Sequence, residues 1–192
     1  MMLAAFADPV FDSQRVFRQL LQAMARPALP RALPVLPPAP APVTSAAMAI
    51  VLTLCDATTC IWLQQPSDEV ARHLRFHAGV KLVDNPQDAD FALITDPMAM
   101  PPLAAFARGE LRYPDRSASL IVQLPGFRGD AGLRFAGPGI PDIRTLAPTG
   151  LSANFWTQRA ALSAQLPLGI DLYFVTAEHV AALPRTTRWL ED

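Results

Sequence analysis

Four consecutive side chains near the C-terminus, Arg185-Thr186-Thr187-Arg188, bring together two guanidinium groups and two hydroxyls. A guanidinium binds phosphate or carboxylate through two parallel hydrogen bonds, so this run is suited to an anion or to an acidic surface of another subunit. On chemistry alone, a solvated tail explains the same residues equally well. The run is therefore a candidate anion or subunit contact.

A second basic group lies in residues 67–79, a segment with the pattern of a helix. Arg72, Arg75 and His77 fall near its end, where cations stabilise the negative pole of a helix. The ordinary explanation is this helix-end role, but the same cations can also hold an anion or a partner's carboxylate. Arg75 and His77 are therefore further candidate anion or subunit contacts.

The histidines give little support for a metal site. His73 and His77 lie four residues apart, a spacing that allows two side chains to share an ion on one helix face. However, the glutamate of a zinc-protease motif is missing between them, and His179 is remote in sequence. We predict hydrogen-bonded or surface histidines and no metal.

No motif of a self-sufficient catalytic centre is present. Gly137-Pro138-Gly139 lacks the longer glycine pattern of a phosphate loop. Cys55 and Cys60 have the spacing of neither a disulfide framework nor a metal knuckle, and we expect reduced thiols. Lys81 is the only lysine, so it is the only residue to which pyridoxal phosphate could be attached. A transferase that uses this cofactor also needs a partner for the pyridinium nitrogen, and the sequence shows no recognisable one. We expect no cofactor and no catalytic residue that spacing alone can identify.

Composition limits the class of protein. The chain has 192 residues, of which 51% are hydrophobic and 17% charged, with a net charge of -1. We expect one domain over residues 1–192, with a deep core or a large apolar interface, and no attraction to nucleic acid or anionic membranes. The N-terminus lacks the pattern of a signal peptide, and the longest apolar stretch, Ala46–Leu54, is too short to span a bilayer. These features predict a soluble, cytoplasmic protein.

Helix and strand patterns alternate along the chain and predict an α/β fold. Asp12 is suited to cap a first helix, on which Phe17, Leu20, Leu21 and Met24 share an apolar face, and Pro27 ends it. Further helices are predicted after Thr44 or Ser45, over residues 67–79, as a short turn over 101–107, and over 153–165. Strands are predicted over 31–36, 59–63, 90–95, 118–124 and 133–135, whereas 81–83 is ambiguous. The turn-like link between residues 120–124 and 133–135 predicts a mixed sheet.

The apolar run over residues 168–176 predicts a strand buried on both faces, followed by a helix-like turn. Asp171 lies inside this run. A carboxylate there needs a partner or an exposed strand end, because desolvating it alone is costly. Pairing with Arg185 would give both residues a structural role.

Six sequence blocks resemble the PhnH family of the carbon–phosphorus lyase system, and they occur in the family's order. They are FRQLLQAMARP (17–27), VLTLCD (51–56) with IWL (61–63), LRFH (74–77), LRFAGPGI (133–140), PLGIDL (167–172) and PRTT (184–187). None of these blocks is specific by itself, but together they span nearly the whole chain.

The resemblance implies a subunit of the complex that begins bacterial phosphonate breakdown. That complex couples alkylphosphonate to the ribose of ATP, releases adenine, and forms ribose 1-alkylphosphonate 5-triphosphate. Partners of the G, I and J types and a homodimer in isolation are implied. The implied fold is a three-layer α/β/α sandwich like the large domain of pyridoxal-phosphate-dependent transferases, without the cofactor.

Two functional hypotheses follow. In the first, the chain is an accessory or structural subunit that is not catalytic alone. In the second, it binds phosphate or nucleotide directly through Arg75, His77, Arg185 or Arg188. The sequence does not identify which phosphonates the complex uses.

Overall fold

The computed structural model describes residues 2–128 and 132–191. Over this range the chain forms four α-helices and twelve β-strands. The helices are α1 (Pro9–Ala25), α2 (Ser45–Leu54), α3 (Asp68–Ala78) and α4 (Ala153–Ser163). The strands are β1 (Arg31–Ala32), β2 (Cys60–Leu63), β3 (Lys81–Val83), β4 (Phe91–Ile94), β5 (Arg108–Glu110), β6 (Tyr113–Ser117), β7 (Ser119–Gln123), β8 (Leu133–Gly137), β9 (Ile140–Leu146), β10 (Asp171–Val175), β11 (His179–Leu183) and β12 (Arg188–Leu190). Within the described range, no helix has both the length and the hydropathy needed to cross a membrane.

Seven strands form the central sheet, in the order β1-β11-β10-β7-β4-β2-β3. Strands β10, β7, β4, β2 and β3 are parallel, whereas β11 is antiparallel to both of its neighbours, β10 and β1. The prediction of a mixed α/β sheet is therefore confirmed. The predicted source of the mixing is different, because β8 does not pair with β7 and belongs to a separate sheet, β12-β8-β9.

Each face of the central sheet packs against its own apolar core. Leu93 and Ile121 belong to a core that includes residues of α1, α2 and α3. Their chain neighbours Ala92 and Leu120 belong to a second core, with residues of α4, β8 and β9. This alternation is the two-residue period of a strand. Because both faces are covered, the central strands are continuous apolar runs, as parallel strands usually are.

Helices α2 and α3 confirm their predicted caps. Thr44 accepts a hydrogen bond from the Ala47 backbone N–H, and Ser67 accepts one from Val70, so each satisfies a free N–H of the first turn. Gly79 ends α3 with φ of 70°, a left-handed conformation that glycine adopts without steric cost.

The predicted start and apolar face of α1 are wrong. The helix begins at Pro9 and is capped by Asp8, whose carboxylate accepts from the Phe11 backbone N–H; Asp12 lies one turn inside. Proline fits this first position because its missing N–H has no partner in the first turn anyway. The buried positions are Asp12, Val16, Leu20 and Ala23. Phe17 and Leu21 are instead 46% and 54% exposed.

The prediction of a helix-like turn after residue 176 is also wrong, because residues 179–183 form strand β11 in a hairpin with β10. The alanine-rich sequence has helical propensity, but pairing with β10 and burial override it. The predicted short helix over 101–107 is only a 3-10 turn at Leu103–Ala105, followed by the β5–β6 hairpin. The ambiguous segment 81–83 is the edge strand β3.

Candidate functional site

Asp171 opens strand β10 and pairs with Arg185, which follows β11. Arg185 Nη2 lies 2.6 Å from Asp171 Oδ2, and the Arg185 backbone N–H donates to Asp171 Oδ1 at 2.7 Å. Nη1 of the same guanidinium donates to the Pro114 carbonyl at 2.6 Å, and Nη2 also donates to the Ser117 hydroxyl. A phosphate at this guanidinium would therefore compete with acceptors that the protein already supplies.

A second arginine, Arg159 of α4, contacts the residues beside this pair and is 1% exposed. Its Nη1 donates to the Ile170 carbonyl at 2.9 Å, and its Nη2 donates to the carbonyls of Leu183, at 3.3 Å, and Pro184. Burial lowers the pKa of Arg159 to about 10, and the Asp171 carboxylate opposes this shift. The guanidinium remains charged at neutral pH and ties the start of β10 to the end of β11.

Sequence reasoning missed Arg159, although a signal was present. The buried residues of α4 are Phe155, Trp156, Arg159 and Leu162. Arg159 thus lies four residues after Phe155 and three before Leu162, on the apolar face of the helix. A charged residue on such a face requires fixed acceptors, since arginine is rarely buried without a partner.

The run 185–188 is not a solvated tail. Its residues form a turn, in which the Thr187 backbone N–H donates to the Pro184 carbonyl at 2.8 Å, and then enter strand β12. Thr187 is 1% exposed, and its hydroxyl has no partner among the described residues. Arg188 is exposed and pairs through its backbone with Ala136 of β8.

Arg75 and His77 lie elsewhere. They belong to α3, which connects β2 to β3 at the opposite end of the central sheet from β10 and β11. Arg75 is exposed, whereas His77 Nε2 lies 3.0 Å from the Leu3 carbonyl and helps to hold the N-terminal segment against the helix. The structure therefore does not bring the two predicted basic groups into one site.

Buried His73 contacts His77, which is partly exposed, with ring centroids 4.5 Å apart. His73 is 2% exposed, and its Nε2 has no hydrogen-bond partner among the described groups. Burial is the main cause of a lowered pKa for His73, and His77 adds to the effect. Among the described residues, no group of three or more potential metal ligands is present.

Two glutamines occupy the carboxyl ends of central strands, the edge where α/β proteins commonly bind ligands. Gln64, after β2, accepts from the Thr95 and Asp96 backbone N–H groups and donates to the Asp96 carbonyl. Gln123, at the end of β7, accepts from the Thr44 N–H and donates to the Pro42 carbonyl. The oxygen and the nitrogen of both amides are thus engaged with loop backbone, which gives these glutamines a structural role.

The other residues considered for chemistry are also separate from these groups. Lys81 is exposed at the start of the edge strand β3. Cys55 and Cys60 are both free thiols. Burial, followed by the nearby Asp56 and Asp90 carboxylates, raises the pKa of Cys55 to about 12, which disfavours the reactive thiolate.

A groove of about 590 Å³ lies between the C-terminal half of α1 and the C-terminal segment, residues 171–188. The groove is lined by residues of α1 (Leu21, Met24, Ala25), of the β8–β9 turn (Pro138, Gly139) and of the C-terminal part of the chain (Asp171, Pro184, Thr186). These residues come from four of the six sequence blocks. Gly139 has φ of 82°, and a Cβ there would stand 2.3 Å from the Ala25 carbonyl oxygen, so only glycine lets this turn approach α1.

The exposed side of α1 continues this groove as an apolar stripe. Val10, Phe17 and Leu21 are 72%, 46% and 54% exposed, and Phe11 flanks them at 64%. Large apolar side chains grouped in this way on a surface are typical of an interaction site. The arrangement is suited to contact with another macromolecule and presents no assembled reactive centre.

Comparisons with known proteins give the family. The model of a family described as bacterial phosphonate metabolism protein (PhnH) matches residues 4–189. A protein of Rhizobium meliloti (strain 1021), named alpha-D-ribose 1-methylphosphonate 5-triphosphate synthase subunit PhnH, is 39% identical over 186 residues, covering 96% of this chain and 93% of that protein. A protein of Stutzerimonas stutzeri, named putative C-P lyase subunit protein HtxG, is 30% identical over 174 residues, covering 91% and 84% of the two chains.

Proposed function

Because the chain belongs to the PhnH family of bacterial phosphonate metabolism proteins, we propose that it is a subunit of the carbon–phosphorus lyase core complex. In this role it takes part in forming the ribose 1-alkylphosphonate 5-triphosphate from ATP and phosphonate, with release of adenine. The names and the near-complete coverage of the two relatives support this proposal.

Within the complex, the chain acts as an accessory subunit and not as the catalyst. One observation carries this statement: two arginines suited to bind an anion are bound to the protein itself, whereas apolar side chains of α1 are exposed. Arg159 and Arg185 bind the protein's own carbonyls and Asp171, while Phe17 and Leu21 lie at the surface. A surface of this kind contributes binding energy to an assembly, since its burial removes apolar area from water.

The finer features of the proposal are these. The companions are subunits of the G, I and J types, the isolated chain is a homodimer, and the protein works in the cytoplasm. The fold is a three-layer α/β/α sandwich related to the large domain of pyridoxal-phosphate-dependent transferases. The two cores on opposite faces of the sheet support the layered arrangement, although strands β8 and β9 share the second outer layer with α4.

The test is growth on methylphosphonate as the sole phosphorus source. A strain that lacks the gene should fail to grow, and the intact gene should restore growth. The tagged chain should co-purify with its companions, and alone it should release no adenine from ATP in the presence of methylphosphonate. Normal growth of the deletion strain, or turnover by the isolated chain at the rate of the complex, would contradict the proposal.

The exposure of Arg188 supports a second candidate function, which is direct binding of phosphate groups. Unlike Arg185, Arg188 is exposed, and with Trp189 and Ser163 it lines a groove of about 360 Å³. Calorimetry of the isolated chain with ATP tests this alternative. Binding that disappears in Arg188→Ala would support it, whereas the absence of binding heat, with unaltered activity of a complex that contains Arg188→Ala, would remove it.

A further inference from the structure

The exposed side of α1 has the pattern of a helix that pairs with another helix. Val10, Gln14, Phe17, Leu21 and Met24, together the α1 face, follow one another at alternating intervals of four and three residues. This is the spacing of the contact positions in a coiled coil, where each side chain packs between those of the partner helix. The opposite side of α1 is already buried against the protein's own core.

The α1 face is rigidly supported and leads into a cavity. Buried Val16, Leu20 and Ala23 anchor the helix from behind. At its C-terminal end, Leu21 and Met24 line the 590 Å³ groove, and Gly139, which also lines it, packs closely against Ala25 of α1. A helix lying along the face can therefore place a bulky side chain into the groove at its end.

The charges beside the α1 face indicate the chemistry of the partner. Arg15, Arg18 and Arg26 are exposed, while Asp8 is the only exposed acidic residue of the helix and its cap. The Arg15 side chain pairs with Asp12, but the side chain of Arg18, which follows Phe17 at the edge of the α1 face, has no hydrogen-bond or ion-pair partner among the described residues. An apolar stripe with an unpaired cation at its edge fits an amphipathic helix that carries carboxylates.

A second copy of the chain fits this surface poorly. In an antiparallel pair centred on Phe17, Val10 would meet Met24, but Arg18 of one copy would lie beside Arg18 of the other. Like charges placed together at an interface disfavour association. The partner that satisfies Arg18 is therefore a different polypeptide.

We propose that the α1 face and its adjoining groove dock an acidic amphipathic helix of a companion subunit of the carbon–phosphorus lyase complex. This inference rests on the proposed function and adds to it the surface and the chemistry of the contact. The apolar residues supply most of the affinity, and Arg18 favours a partner that carries carboxylates.

The test is co-expression of the tagged full-length chain with the G-, I- and J-type companions. Phe17→Glu and Leu21→Glu place a carboxylate in the α1 face, and each should lower the companions recovered per tagged chain by at least tenfold. Phe76→Glu and Leu111→Glu are matched controls, because these residues are 71% and 78% exposed but lie outside the face. The controls should retain wild-type recovery.

Circular dichroism and thermal melting of each isolated variant establish that it is folded. Arg18→Glu should weaken recovery more than Arg18→Gln does, since it repels the partner's carboxylates. Sedimentation of the isolated chain tests for self-association. If Phe17→Glu dissociates a homodimer but leaves companion recovery unchanged, the face binds a second copy and the inference is overturned.

Equal recovery by the α1 variants and the controls would overturn the inference and leave the proposed function intact. Failure of the wild-type chain to co-purify with any companion would overturn both. The two proposals therefore fail in distinguishable ways.

Discussion

The C-terminal segment and helix α1 use their side chains in opposite ways. Near the C-terminus, Arg185 binds Asp171, and Arg159 of α4 donates to three backbone carbonyls beside this pair, so both cations are directed inward, whereas Arg188 is exposed. On α1, residues suited to a core are directed outward, with Phe17 and Leu21 about half exposed. The contrast shows that residue type alone does not locate a functional surface. What matters is whether the protein itself already supplies the partner.

The largest effect is expected from removing the buried cation. Arg159→Met keeps much of the side-chain volume but leaves the carbonyls of Ile170, Leu183 and Pro184 without their donors. Loss of hydrogen bonds to a charged group and burial of unsatisfied acceptors should lower the free energy of unfolding by about 4 kcal/mol. Urea denaturation measures this change, and Arg112→Met, at an exposed arginine, should change it by less than about 0.5 kcal/mol. Equal effects of the two substitutions would refute the structural role of Arg159.

Two adjacent leucines on α1 sharpen the comparison within one helix. Leu20 is 1% exposed and Leu21 is 54% exposed. Leu20→Ala should lower the free energy of unfolding of the isolated chain by about 3 kcal/mol, because it creates a cavity in the core. Leu21→Ala should change it by less than about 0.5 kcal/mol. If the chain is a monomer and Leu21→Ala costs as much as Leu20→Ala, the orientation of α1 is wrong.

The Asp171–Arg185 pair should be strongly coupled. A double-mutant cycle with Asp171→Asn and Arg185→Met isolates the interaction between the two side chains, and we expect a coupling of about 2 kcal/mol for this partly buried, multiply bonded pair. The same cycle at Asp12 and Arg15, where the arginine is exposed, should give less than about 1 kcal/mol. A coupling near zero at Asp171 and Arg185 would contradict this structural role and make Arg185 a candidate anion contact again.

A smaller effect concerns pH. Burial holds the pKa of His73 below its ordinary value of 6.5. The unfolded chain therefore binds this proton more readily than the folded chain, so stability falls as the pH drops through about 6.5 toward the lower folded pKa. His73→Leu should lose less stability than the wild type between about pH 7.5 and 5.5, as urea midpoints report. Identical slopes for the wild type and His73→Leu would rule out this role of His73.

Much of the architecture follows from the sequence because local signals and burial agree there. Thr44, Ser67 and Gly79 mark helix ends correctly, and the apolar runs of β4, β7 and β10 are strands. The sequence also indicates that Asp171 needs a partner or an exposed strand end, and in the structure Arg185 is that partner.

The wrong predictions concern segments whose orientation or conformation is set by tertiary contacts. The periodicity of α1 allows two apolar faces, and only packing on the sheet selects Val16 and Leu20 over Phe17 and Leu21. The sequence of β11 has helical propensity, and its strand conformation follows from pairing with β10. The groove beside α1 joins segments that are more than a hundred residues apart, and no local pattern indicates that they meet.

Hydroxyl-radical footprinting tests most directly whether the molecule's exposed apolar helix face serves assembly. Oxidation of Phe17 and Leu21 would be measured in the isolated chain and in the purified complex, with exposed Phe76 as the internal reference. The account predicts that Phe17 and Leu21 become several-fold less reactive in the complex while Phe76 does not change. Equal reactivity of Phe17 and Leu21 in both states would contradict it.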